Sequence, residues 1–174
     1  MAIQDQFNPS GYSNGPVRHH SSAKGPVSDA LVSPARSKNM RAIRAKDTKP
    51  EVAVRRLLYR LGFRYRLHMK DLPGRPDIVF PSRRKVIEVR GCFWHRHPDP
   101  GCRNAVLPAT RSNFWEKKLT SNVERDVRNL EALRTQGWDV LVLWECEVDR
   151  PECSARLTSF LSDSRPPSAA AAAK

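Results

Sequence analysis

The chain has 174 residues, enough for one domain around one core. Its 31 Lys and Arg outnumber 18 Asp and Glu, leaving a formal net charge of +13 and favouring an anionic partner, nucleic acid before an acidic membrane surface. No apolar run approaches the ~20 residues of a membrane span, and the N-terminus lacks an apolar secretory core, so a monomeric cytoplasmic protein with reduced thiols is expected.

In chain order, residues 1–34 are rich in Ser, Gly, Pro and Asn without a lasting apolar period, and read as a disordered arm. Its two basic residues (Arg18, Lys24) and two acidic residues (Asp5, Asp29) cancel, so the whole positive excess lies in the remainder. A domain is expected over about 35–163, and residues 164–174 read as a frayed tail. Thr48-Lys49-Pro50-Glu51 has the form of a helix-capping box. Val52, Val54, Leu57, Leu58 and Leu61 follow at helical spacing, and Gly62 stops the helix. Phe63, Tyr65 and Leu67 alternate with polar residues, which predicts a strand.

Leu72 to Pro76 is a turn, Asp77 to Phe80 a short strand, and Lys85 to Arg90 its hairpin partner, closed by Gly91. After a loop to about Pro108, Ser112 or Asn113 can cap a helix over 114–136, with a break expected near Ser121-Asn122 and Gly137 as its stop. The run Val140 to Trp144 predicts a strand buried on both faces. A last helix is predicted over about 151–162. The sum is an α/β domain with a mixed sheet.

Two constellations carry chemistry. A hairpin brings Asp77, Glu88 and Arg90 within reach of one point, with Glu88 and Arg90 on one strand face. Two carboxylates can hold Mg²⁺, a hard cation wanting oxygen ligands, and a cation at position 90 can steady charge on a phosphate. The ordinary alternative is turn chemistry at Asp77 and a solvated strand face. The Pro-Asp with Glu-x-Arg pattern resembles the PD-(D/E)xK nuclease fold, which implies the Val89 carbonyl as a further metal ligand.

The second constellation is Gly91-Cys92-Phe93-Trp94-His95-Arg96-His97 with Cys102 and, after the buried strand, Cys146. Cys92, His97, Cys102 and Cys146 suit a closed tetrahedral zinc site that staples an irregular loop. Buried free thiols are the alternative, and Cys153 is read that way. His95, two residues before His97, can point to the Asp77 pocket and take a proton from an attacking water, or serve as a metal ligand or phosphate contact. Phe93 and Trp94, exposed on a loop, could wedge between base pairs.

Ser37 to Ile43, Leu72 to Asp77, Gly91 to His95, Phe114-Trp115, Asn122 to Asp126 and Trp144-Glu145-Cys146 together resemble the very-short-patch repair (Vsr) endonucleases from about Arg36 to about residue 160. The resemblance implies a restriction-endonuclease-like fold with structural zinc. It implies Mg²⁺-dependent nicking of double-stranded DNA just 5′ of the thymine in a T:G mispair, the product of 5-methylcytosine deamination, in a bacterial cytoplasm where mismatch-repair proteins also act. It makes Asp77 the metal-binding carboxylate and His95 the general base, with Glu51 and Asp126 assisting. It places Phe93, Trp94 and Trp115 in the duplex beside the mispair, with Met40, Arg41, Lys118 and Asn122 near DNA. Cys92, His97, Cys102 and Cys146 match the zinc ligands. Val89-Arg90 stand where the family pattern often has Thr-His, Glu88 precedes them, and His97 and Cys102 are further apart than in members with a His-x-Cys spacing. The expected reaction is in-line attack by water, with His95 taking its proton and Mg²⁺ held by Asp77 with Glu88 or the Val89 carbonyl.

Overall fold

The computed structural model describes residues 46–163. The expectations for residues 1–34 and 164–174, and those for Met40 and Arg41, lie outside the described residues. Helix α1 spans Lys49–Arg60, and strands β1 (Arg66–Leu67), β2 (Ile78–Phe80) and β3 (Lys85–Arg90) follow. The long helix α2 (Ser112–Thr135) leads to β4 (Asp139–Trp144), and α3 (Glu152–Ser162) comes last. The strands form one sheet in the order β1-β2-β3-β4, antiparallel for the first two pairings and parallel between β3 and β4. The sheet is therefore mixed, as the sequence predicts.

Helices cover both faces. On one side, Val54 and Leu58 of α1 and Leu157 and Leu161 of α3 pack on Ile78, Phe80, Ile87, Val89 and Leu143. On the other, Leu133 of α2 packs with Val79, Val86 and Trp138. The alternation along β2 and β3 decides which residues face which layer. Ile87 and Val89 belong to the first core, so Val86, Glu88 and Arg90 face α2. Cys153 is buried in the first core, where its thiol packs as a small apolar group.

Four local expectations change. The strand expected over 63–68 is only Arg66–Leu67, because Phe63 and Tyr65 turn their rings edge-on to Phe80, with centroids 6.3 and 6.2 Å away, instead of extending the ladder. β4 is an edge strand, and only Leu143 on it is fully buried. α2 begins at Ser112, behind Arg111 in the left-handed region, so neither Ser112 nor Asn113 caps it. It also runs unbroken through Ser121-Asn122. The Asn122 amide is engaged by a distant carbonyl and does not compete with the helix backbone. The helix stops at Gly62 and Gly137 are where the sequence puts them, each followed by a backbone bond to the last turn.

Candidate active site and its aromatic and thiol neighbours

The turn before β2 fixes Asp77. Gly74 has φ +71, and a Cβ there would meet the Asn129 amide of α2 at 2.7 Å. Only glycine lets this turn sit against α2 and present Arg75-Pro76-Asp77 to the sheet. Extending the β2–β3 register one pair beyond Ile78↔Ile87 sets Asp77 opposite Glu88. Asp77 Oδ2 accepts the Val89 N–H at 2.8 Å. Burial pushes the Asp77 carboxyl up to about 7, against the lowering effect of that N–H, and the charges of Glu51 and Glu88 push it further. A divalent cation beside Asp77 would offset the cost of ionising this buried carboxyl.

On the α2 face, charges continue from Glu88. Arg90 is buried and gives its Nη2 to Glu88 Oε2 at 2.5 Å, and its Nη1 lies 4.0 Å from Asp126 Oδ2. Asp126, buried on α2, also meets His95 Nδ1 at 2.5 Å. Burial raises the Asp126 carboxyl, but the bond to His95, with Arg90 and Arg125, outweighs it and holds the group below the ordinary range. An ionised Asp126 accepts the hydrogen bond from Nδ1–H, which leaves His95 Nε2 as the ring's acceptor. The links His95–Asp126–Arg90–Glu88 join four of the expected catalytic residues and end on the residue that the register sets opposite Asp77.

Glu51 is also buried, but its partners are local. It accepts from Asp47 N–H and Thr48 Oγ1 at 3.0 and 2.8 Å, and from Arg55 Nη2 at 2.9 Å. Thr48 caps the helix in return by accepting the Glu51 N–H. Val89 places its side chain in the core and its N–H on Asp77.

Phe93, Trp94 and Trp115 meet edge to face, with centroids 5.1 to 6.1 Å apart. Each is half-buried. Phe114 extends the cluster, 5.2 Å from Trp115 and 48% exposed, with the Arg111 guanidinium over its ring. The sequence reading passed over Phe114 as a site residue, although it adjoins Trp115 and no apolar period buries it. Lys118 is exposed on α2. Asn122 is buried and donates to the Trp94 carbonyl at 3.0 Å, tying the aromatic loop to α2.

One ligand atom from each of Cys92, His97, Cys102 and Cys146 lies within 4.8 Å of the others. Cys146 Sγ is 3.7 Å from His97 Nδ1. A tetrahedral zinc with its usual bond lengths sets sulfur and nitrogen about 3.6 Å apart, so the cluster has the right size. Burial pushes the Cys92 thiol up to about 12 and raises Cys146 as well, while burial holds His97 below its ordinary value. A neutral imidazole and thiols that a metal would deprotonate make a chemically apt donor set. No helix of the described residues is long and apolar enough to cross a membrane.

Residues 28–100 match the protein family described as DNA mismatch endonuclease Vsr. A type II nicking enzyme of Xanthomonas oryzae, V.XorIIP, is 49% identical over 139 residues, which cover 79% of this chain and 100% of that enzyme. The DNA mismatch endonuclease Vsr of Escherichia coli is 47% identical over 113 residues, 65% of this chain and 70% of that enzyme. V.NmeAIP of Neisseria meningitidis, another type II nicking enzyme, is 38% identical over 138 residues, covering 79% of this chain and 96% of that enzyme.

Proposed function

Because the chain belongs to the Vsr family of DNA endonucleases, which hydrolyse phosphodiester bonds, we propose that it nicks one strand of duplex DNA 5′ of the thymine in a T:G mispair. The reaction would serve very-short-patch repair and depend on Mg²⁺. The observation that carries this reading is the hairpin register that sets Asp77 opposite Glu88, with Glu88 joined through Arg90 and Asp126 to His95. We read the mixed sheet as a restriction-endonuclease-like scaffold on which this cluster is mounted.

In this reading Asp77 holds the Mg²⁺, with Glu88 and the Val89 carbonyl as further oxygen donors. When bound, Mg²⁺ supplies Lewis-acid stabilisation of the charge that gathers on the phosphate. His95 Nε2 takes the proton of the attacking water, and Asp126 stabilises the imidazolium that forms. Arg90 offsets negative charge beside Glu88. Phe93, Trp94, Trp115 and Phe114 enter the stack at the mispair, where unstacking costs least. Base-edge contacts then select the thymine–guanine pair. Lys118, Met40 and Arg41 would contact the DNA, and Asn122 would serve by holding the aromatic loop. Cys92, His97, Cys102 and Cys146 would hold a zinc ion, which would tie that loop to the end of β4. The protein acts as a monomer on DNA in the cytoplasm, alongside mismatch-repair proteins.

The test is an end-labelled duplex with one T:G mispair, incubated with the protein and Mg²⁺. One nick 5′ of the thymine is expected, with no nick in the matched duplex and none from Asp77→Ala. Equal nicking of matched and mismatched duplexes would remove the mispair specificity, and nicking by Asp77→Ala would remove the proposed centre.

A further inference from the structure

A second polar cluster lies beside Asp77. One ligand atom from each of Asp47, Glu51 and His68 lies within 4.8 Å of the others, a spacing that would suit a metal. The Arg55 guanidinium bonds all three. Its Nη1 donates to Asp47 Oδ1 at 2.5 Å, and its Nη2 donates to Glu51 Oε2 at 2.9 Å and lies 3.1 Å from His68 Nε2. The cluster is a cage for an internal cation.

This cage fixes a proton. A guanidinium has only donors, so His68 Nε2 must be the acceptor in the 3.1 Å contact. An imidazolium has no acceptor nitrogen and would face Arg55 as a second cation, so the ring is neutral. Its single proton is therefore on Nδ1. That nitrogen faces Asp77 Oδ1 at 4.0 Å, while Asp77 Oδ2 is already tied to the Val89 N–H. Closing by about 1 Å turns the 4.0 Å approach into a hydrogen bond. The backbone of His68 sits at φ +46, a conformation that non-glycine residues seldom adopt, and it turns the ring inward from the end of β1.

We propose that His68 is a positioning residue for the nicking reaction: a neutral imidazole, protonated on Nδ1 by order of Arg55, that orients the Asp77 carboxylate toward the divalent cation. Glu51 then acts through Arg55 and His68, not by touching metal or substrate. The inference rests on the reading of Asp77 as the metal-holding carboxylate.

Long-range ¹H–¹⁵N correlation spectra of the full-length protein, without Mg²⁺ or DNA, read the tautomer directly. Nδ1–H with unprotonated Nε2 is expected for His68, and Nε2–H would overturn the proposal. Arg55→Met removes the donor and is expected to shift His68 to a tautomer mixture. In kinetics, His68→Gln keeps an acceptor for Arg55 and a donor for Asp77, so it should retain kcat within about threefold. His68→Leu keeps neither, and should lower kcat about 10- to 100-fold with KM for the duplex unchanged. Mn²⁺ binding followed by electron paramagnetic resonance should weaken about tenfold or more in His68→Leu and stay near wild type in His68→Gln. Equal kcat for Gln and Leu variants whose melting curves match the wild type would also overturn it. Wild-type protein that leaves the T:G duplex intact would instead strike the proposed function, while nicking by wild type and His68→Leu alike strikes this inference alone.

Discussion

Replacing Asp77 by Asn should stabilise the Mg²⁺-free protein while ending its activity. The native carboxyl, pushed up to about 7, stands near 3.9 in the unfolded chain. Between those values the unfolded chain binds fewer protons than the native one, so stability falls as pH rises from about 4 to about 7, and the full cost is present at pH 8. Three pK units at about 1.36 kcal/mol each set a ceiling of about 4 kcal/mol. A quarter of the side chain is exposed (25%), and solvent screening brings the cost to about 2 kcal/mol. Asparagine keeps the shape and an acceptor for the Val89 N–H, but loses the charge assistance to that bond, about 0.5–1 kcal/mol. Asp77→Asn should thus gain about 1–1.5 kcal/mol at pH 8. That corresponds to a Tm rise of roughly 3–8 °C. The gain should shrink toward zero as pH approaches 4, and millimolar Mg²⁺ should reverse it by stabilising only the wild type. Urea unfolding in Mg²⁺-depleted buffer at pH 8 and pH 4.5, with and without added Mg²⁺, measures each step. An Asn variant less stable than the wild type at pH 8 without Mg²⁺ would refute the electrostatic account of this site.

Asp126→Asn should lower single-turnover nicking about 100-fold or more, because the amide can hold His95 in the wrong tautomer, while duplex affinity stays within a few fold. An unchanged rate in rapid-quench experiments would detach His95 from the chemistry. Zinc uptake at pH 7 should expel at least two protons per ion, since Cys92 and Cys146 both hold theirs well above neutrality, and weakly buffered stopped-flow with a pH indicator reads the count. Cys146→Ser should bind zinc more weakly and melt at least 5 °C lower, by calorimetry. Gly74→Ala should cost about 1–3 kcal/mol in urea unfolding, through the clash with Asn129 and the positive φ.

The parts of the fold legible in the sequence are those set by neighbours in the chain. The Thr48–Glu51 cap, the hairpin of β2 and β3, and the glycines that end α1 and α2 all stand as read. What depended on distant partners was not legible. Asn122 looked like a helix breaker because its carbonyl partner, on Trp94, is in another segment. The apolar run of β4 looked doubly buried because no neighbour on its outer edge could be counted from sequence. In the site, the structure brings Cys92, His97, Cys102 and Cys146 together; the first three share one loop, and Cys146 reaches it because β4 runs parallel beside β3. Glu51 and Asp126 entered the reading by resemblance; Arg55 stands at i,i+4 spacing from Glu51, whereas the approach of Arg90 to Asp126 emerges only from packing. His68 read as the polar end of an alternating strand, and nothing local marks a left-handed backbone there.

Trp115 and Asp126 stand about three turns apart on α2, with no kink between them. Under the proposed function, the helix is a rod that carries an aromatic probe near one end and the carboxylate aiming His95 nearer its middle. Whatever displaces the probe must shift or strain the aim as well. Sensing and cutting would then be one mechanical event, and a duplex that rejects the probe would leave the imidazole misdirected.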